Sequence, residues 1–223
     1  MFPLNMCSSK YRMKELRQRT DLHLARRIWH FCGVMAMVAL YAYLSRPNAI
    51  RVALQVSIVW IGADFLRLYV PSVNRTLTWA FRPFMRESER HQIAGTTYLL
   101  AGVTLIIVLF PKEVVMLSLL FLAVADPLAS YVGIRYGKDK LIAGKSLQGT
   151  LAAFGACLVL SIIYFTVMQL MPERLVIVAL LAALIGAISE LVPIGKLDDN
   201  FTFPVLSASL LTVVFELFGG LTP

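Results

Sequence analysis

The sequence predicts an all-α, polytopic integral membrane bundle of about seven transmembrane helices, N-terminus in the cytoplasm, and three observations carry that reading. Of 223 residues, 58% are apolar and 15% charged, against roughly 45–50% and about 25% in soluble domains, and mean hydropathy is +0.73. The apolar residues gather into blocks that approach the ~20 needed to cross a bilayer's hydrocarbon core. The cations collect in alternate connections between those blocks. Together these effectively exclude a soluble globular domain.

The blocks fall at about residues 28–44, 49–66, 93–110, 114–134, 147–171, 175–194 and 201–221. Each reads as a helix, because only helices and closed barrels satisfy backbone groups in lipid and no alternating ten-residue pattern is present. The 27 residues before the first block are basic and lack the order of a secretory signal, so the chain divides into a basic cytoplasmic juxtamembrane segment, 1–27, and a membrane domain, 28–223. Between the second and third blocks Arg75, Arg82, Arg86 and Arg90 recur at helical spacing beside Leu77, Phe81, Phe84 and Met85. That pattern suggests an interfacial helix kinked by Pro83.

The net charge is +8, and its placement explains it without nucleic acid. With the N-terminus inside, 17 of the 21 Lys and Arg face the cytoplasm, leaving Arg46, Arg51, Lys112 and Arg174 outside, as the positive-inside rule requires. Cys7, Cys32 and Cys157 are too scattered for a disulfide framework or a zinc site.

A carboxylate within an apolar block is costly and is a functional candidate by default. Asp64 has Arg67 one helical turn on, which a local salt bridge explains; Glu216 lies toward the outer end of the last block. Asp126 is different, because Asp126-Pro127 is expected to break the fourth block, with the aspartate capping a restarted helix. That helix presents Asp126, Ser130, Gly133 and Gly137 as one small, polar stripe, which admits a ligand closely.

The stretch from Gly133 to Ser146 interleaves glycine with cation, including Lys138, Lys140, Gly144 and Lys145. Glycine lets backbone N–H groups approach an anion, lysine supplies point charges to phosphate oxygens, and a helix starting near Leu147 adds its positive dipole end. It is not a Walker A loop, since Asp139 stands where that motif needs glycine. Further on, Asp198-Asp199-Asn200, with Glu190 upstream, suits a hard cation such as Mg²⁺, which takes one or two carboxylates together with substrate phosphates. The plainer alternative has Asn200 capping the last helix and Asp198 and Asp199 forming a turn.

DPLASYVGIRYGKDKLIAGKSLQGT followed by ELVPIGKLDDNFTFP resembles the dolichol kinase, phytol kinase and CTP-dependent diacylglycerol kinase family. The resemblance implies a CTP site built from Asp126, Ala129, Ser130, Gly144, Lys145, Ser146, Gly149, Thr150, Asp198, Asp199 and Asn200. Two looser segments, Arg26-Arg27-Ile28-Trp29-His30 and Arg86 to Tyr98, extend it over most of the chain; Glu89 fits the second acidic position, and His23 stands where the family often has glutamate.

The implied reaction is transfer of the γ-phosphoryl of CTP to the hydroxyl of a membrane lipid alcohol with Mg²⁺, the acceptor being a polyprenol or dolichol, a phytol-like prenol or a diacylglycerol. Under it Asp126, Lys145 and Asp199 are catalytic. Ser130, Gly133, Gly137, Lys138, Lys140, Gly144, Ser146, Gly149, Thr150 and Asn200 hold nucleotide. Arg26, Arg27, His30, Arg86 and Arg90 bind lipid or phosphate, and Asp126, Glu190, Asp198 and Asp199 are the candidate metal ligands. Asp126 is either a metal ligand or the acceptor of the lipid hydroxyl's proton. The alternatives are a cytidylyltransferase similar to CDP-diacylglycerol synthase, which shares this site, and an ion-coupled transporter, which needs neither the Gly-Lys-Ser loop nor the acidic triplet.

Overall fold

The computed structural model describes residues 24–195 and 197–221. Lys196 and all but the last four residues of the basic segment lie outside the described residues. Among the described residues eight α-helices follow one another: α1 (Leu24–Tyr43), α2 (Arg46–Tyr69), α3 (Pro71–Ala80), α4 (Gly95–Leu109), α5 (Lys112–Tyr136), α6 (Leu147–Val167), α7 (Leu175–Leu191) and α8 (Asp199–Phe218). Each of the seven apolar blocks falls on one of these helices, α3 being the extra one. Helix α2 and α5 to α8 are long and apolar enough to cross a membrane, and α4 is a shorter apolar helix.

Proline and glycine set most boundaries. Pro47 stands near the start of α2, Pro71 opens α3, Pro111 precedes α5, Pro193 follows α7, and Gly219 ends α8 in the left-handed region at φ 74°, where the absence of a Cβ removes the steric cost. Helix α6 begins at Ser146, whose Oγ accepts from Gly149 N–H.

Helix α5 is the hub, packing against α1, α4, α6, α7 and α8, with Leu117, Leu119, Phe121, Leu122, Ala123 and Ala125 fully buried. Small residues set its approach to α6. A Cβ added at Gly149 would stand 2.7 Å from the Ala129 carbonyl and 3.3 Å from Gly133 Cα, the close backbone contact that small residues permit between membrane helices. Large apolar side chains on the outside remain exposed, among them Ile58, Val59, Val167, Val176 and Leu217; in water such a surface is a liability, and in lipid it costs nothing.

Three expectations need correction. Asp126-Pro127 does not break a helix: α5 runs through it, with Pro127 inside. One lost N–H and a local clash are tolerated where flanking helices brace the segment and lipid withholds any other partner for the backbone. The interfacial helix ends at Ala80, before Arg82-Pro83, because a residue ahead of proline is driven out of the α region; Arg82, Arg86 and Arg90 therefore do not share a stripe with Arg75. The cap of α8 is Asp198, whose Oδ1 accepts from Asn200 N–H at 3.0 Å, rather than Asn200 itself.

The bundle has two chemically distinct ends. At one, Lys112 donates to the carbonyls of Ala42 and Leu44, Arg46 to Val108 and Tyr164 to Glu113. At the other lie the starts of α1, α4, α6 and α8 and the ends of α5 and α7, with 11 of the 15 described Lys and Arg.

Candidate active site

Lys145 organises the site. Its Nζ lies 3.2 Å from Glu190 Oε1 and 3.3 Å from Asp199 Oδ2 and donates to the Glu190 carbonyl, while Asp126 acts on it electrostatically from α5. Burial alone would push the ammonium down, but Glu190, Asp199 and Asp126 together hold it above its ordinary value. Residues from α5, α7, α8 and the α5–α6 loop thus converge. Three carboxylates surround one ammonium, with the Arg27 guanidinium also acting on Asp126.

The loop that carries Lys145 is braced from within. Leu141 N–H donates to the Lys145 carbonyl at 2.7 Å, Lys145 N–H to Ile142, and Leu147 N–H to Asp139. Gln148 receives Lys138 N–H and donates to Asp139 Oδ2. Ala143 at φ 52° and Gly144 at φ 79° make the turn. These N–H groups of Lys138, Leu141, Lys145 and Leu147 are spent inside the loop, and Gly133, Gly137 and Gly149 bring α5 against Ser146 and α6. Lys138, Lys140 and Gly144 occupy its exposed side.

A second cluster adjoins the first. Glu89 receives a two-point contact from Arg26, at 2.8 and 3.1 Å, together with Arg86 N–H and Gly95 N–H. Burial pushes the Glu89 carboxyl up, yet Arg26 and those two amides hold it below the ordinary carboxylate range. Arg86 lies 3.4 Å from Asp198 Oδ2, and Asn200 Nδ2 donates to the Gly95 carbonyl. The clusters meet at the start of α8, whose cap Asp198 and residue Asn200 belong to one and whose Asp199 belongs to the other.

Helix α1 faces both. Arg27 donates to Ser130 Oγ at 3.2 Å, its guanidinium lies 5.7 Å from the Tyr131 ring centre, and its buried Nη1 has no partner. His30 Nε2 lies 3.8 Å from Asp126 Oδ2 and 3.2 Å from the Leu122 carbonyl. Thr150 Oγ1, Ser189 Oγ and Glu190 Oε2 are likewise buried without partners. Such orphans are costly unless a ligand or water satisfies them.

The four expected metal ligands are not one set. Asp198 is engaged by Arg86 and by its capping bond, and among the described residues no group of three or more His, Cys, Asp and Glu is placed to hold a metal ion by itself. Glu190 and Asp199 remain as a pair on Lys145. The Arg90 carbonyl accepts from Asn74 on α3.

The sequence reading missed how Asp64 and Arg67 serve the site. They pair at 2.6 Å and are both buried. Arg67 also donates to the carbonyls of Glu89 and Gln92, while Asp64 Oδ2 receives Ala94 N–H and Thr97 Oγ, so the pair pins the segment that presents Glu89 and Gly95. The (i, i+3) spacing announced the pair and said nothing of that anchorage. Ser189, next to Glu190, carried no signal at all.

No family model matches the chain, and no solved structure matches it. Curated proteins do. It is 30% identical over 193 residues to CTP-dependent diacylglycerol kinase 1 of Schizosaccharomyces pombe, spanning 79% of this chain and 88% of that protein. To the protein of that name from Saccharomyces cerevisiae it is 26% identical over 221 residues, 89% of this chain and 76% of the relative. Dolichol kinase of Saccharomyces cerevisiae is 28% identical over 149 residues, 63% of this chain and 28% of its own length. With its helical membrane bundle and a half-buried lysine set among carboxylates at one end, the chain belongs to the family of the CTP-dependent diacylglycerol kinases and dolichol kinase.

Proposed function

We propose that this protein is a CTP-dependent lipid kinase that phosphorylates the hydroxyl of a diacylglycerol, its site opening to the cytoplasm. The observation that carries the chemistry is Lys145 held between Glu190 and Asp199 beside Asp126. Diacylglycerol is favoured over a polyprenol because the diacylglycerol kinase relatives match across most of their own length and the dolichol kinase across little of it. Residues 28–223 are the catalytic domain in this reading.

The lipid oxygen attacks the γ-phosphorus of CTP, the bond from that phosphorus to the β–γ bridging oxygen breaks, CDP leaves, and the hydroxyl proton passes to Asp126 Oδ2. His30 Nε2, held at the Leu122 carbonyl at 3.2 Å, stands 3.8 Å from that carboxylate. Lys145 neutralises charge on the transferred phosphoryl group, and Arg27 offers its unpartnered Nη1 to a phosphate oxygen. Glu190, with one buried oxygen unsatisfied, and Asp199 fit Mg²⁺ as the one or two carboxylates it takes beside substrate phosphates. That ion supplies charge neutralisation at the phosphates when bound. Ser146, Gly149 and Thr150 shape the α6 end of the nucleotide site.

CTP labelled in turn at the α and γ phosphates, offered with diacylglycerol, tests the reading. Only the γ label enters the lipid and CDP forms in step. Entry of the α label with release of pyrophosphate makes the protein a cytidylyltransferase; entry of neither label, across diacylglycerol, short prenols and long polyprenols, overturns the kinase reading.

A further inference from the structure

Two cavities run end to end along the membrane face of α1, α2 and α4. The first, about 210 Å³, has Arg26, His30, Thr96 and Asn200 at its polar mouth and Trp29, Trp60, Leu99 and Leu100 along its walls. The second, about 100 Å³, is apolar and continues to Tyr41, Leu44 and Ile107. Met37, Val56 and Leu100 belong to both and form the waist between them. Helix α1 lies on α5 and α2 lies on α4, and the cleft between α1 and α2 lies over these cavities.

We infer that this groove holds one acyl chain of the diacylglycerol acceptor, with its hydroxyl at the His30 mouth and the waist residues Met37 and Val56 setting chain-length preference. The inference rests on the kinase reading for the identity of the headgroup and on geometry for the chain. The mouth adjoins the reaction centre, since His30 lines the cavity and stands 3.8 Å from Asp126. Beyond it the walls are apolar apart from Thr104 and Tyr41. Along α1 from Arg26 to Tyr41 the lining runs about 22 Å at a rise of ~1.5 Å per residue, most of a ~30 Å hydrocarbon core. The contacting positions Arg26, Trp29, His30, Gly33, Met37 and Tyr41 recur every three or four residues, so one face of α1 serves the whole length. Gly33 widens the passage: a Cβ there would meet nothing within 4 Å, and a larger side chain would occupy that space.

The test uses the full-length protein in detergent or liposomes. Val56→Trp fills the waist from the cleft side, and Met37→Trp does so from α1. Each lowers the ratio of kcat/KM for long-chain diacylglycerol to that for dioctanoylglycerol at least tenfold, while Leu217→Trp, on the outer surface of α8, leaves the ratio unchanged. An unchanged ratio in both folded waist variants overturns the groove. A diacylglycerol carrying a diazirine at the end of one chain gives a readout independent of turnover. Label in α1 and α4 at residues 37–44 and 100–107 supports the groove even if no lipid is phosphorylated, in which case the kinase reading alone falls. Label spread evenly over α6 and α7 overturns the groove even if phosphorylation proceeds. Label confined to the groove by a long polyprenol probe and not by diacylglycerol overturns the assignment of the acyl chain.

Discussion

Lys145 Nζ stands 3.3 Å from Asp199 Oδ2, a contact between the glycine-lysine loop and the acidic triplet, which lie more than fifty residues apart in the chain. Asp199 occupies the first turn of α8, where the helix dipole favours a carboxylate. Lys145 precedes the Ser146 cap of α6.

Under the proposed kinase reaction, removing either partner strikes the charge that develops on the transferred phosphoryl group. Lys145→Ala and Asp199→Ala each lower kcat by about a hundredfold or more, with membrane insertion intact. Single-turnover assays on protein whose folding is verified by thermal melting check this, and near wild-type turnover removes the residue from the site.

The Asp64–Arg67 pair belongs to stability. Turnover suffers less from Asp64→Asn than from the changes at Lys145 and Asp199, but burial of both partners makes breaking the pair costly, about 3 kcal/mol or more. Arg67→Ala therefore lowers the melting temperature markedly, and limited proteolysis finds the 84–97 segment loosened first.

Glu89 gives the protein an acid-sensitive joint. Its carboxyl titrates below the ordinary 4.5 when folded, so the unfolded chain binds the proton more readily. The stabilisation is complete above about pH 4.5 and is lost as the pH falls through the folded value. Melting curves of wild type and Glu89→Gln differ at neutral pH and converge in acid; a constant difference across that range contradicts the assignment.

Helix approach is tested at Gly149. Gly149→Val drives a side chain against the Ala129 carbonyl, and overpacking of this kind costs about 1–3 kcal/mol. Both melting temperature and CTP binding fall, because α5 and α6 carry Asp126 and the Lys145 loop.

Topology follows from the two ends of the bundle. Cysteines placed at 140 and at 173 label from opposite faces of the membrane, and position 140 labels from the cytoplasmic face. Labelling of both from one side contradicts the orientation.

What the sequence determined by itself was the helical membrane architecture, the position of each apolar block, and the motif order that places the chain in its family. Those follow from local rules: block length against bilayer thickness, cation placement between blocks, and the order of Asp126, Gly144-Lys145-Ser146 and Asp198-Asp199-Asn200. Tertiary structure decided which neighbours in the triplet do what, since Asp198 turns to cap α8 and meet Arg86 while Asp199 meets Lys145. It also decided that Pro127 stays inside α5, that Gly133 and Gly149 serve helix contact, and that Asp64–Arg67 holds a distant segment. The physical reason is shared. A side chain's partner depends on where another helix places its backbone, and lipid rewards any arrangement that leaves no polar group unmet, so spacing within one helix cannot specify which arrangement is taken.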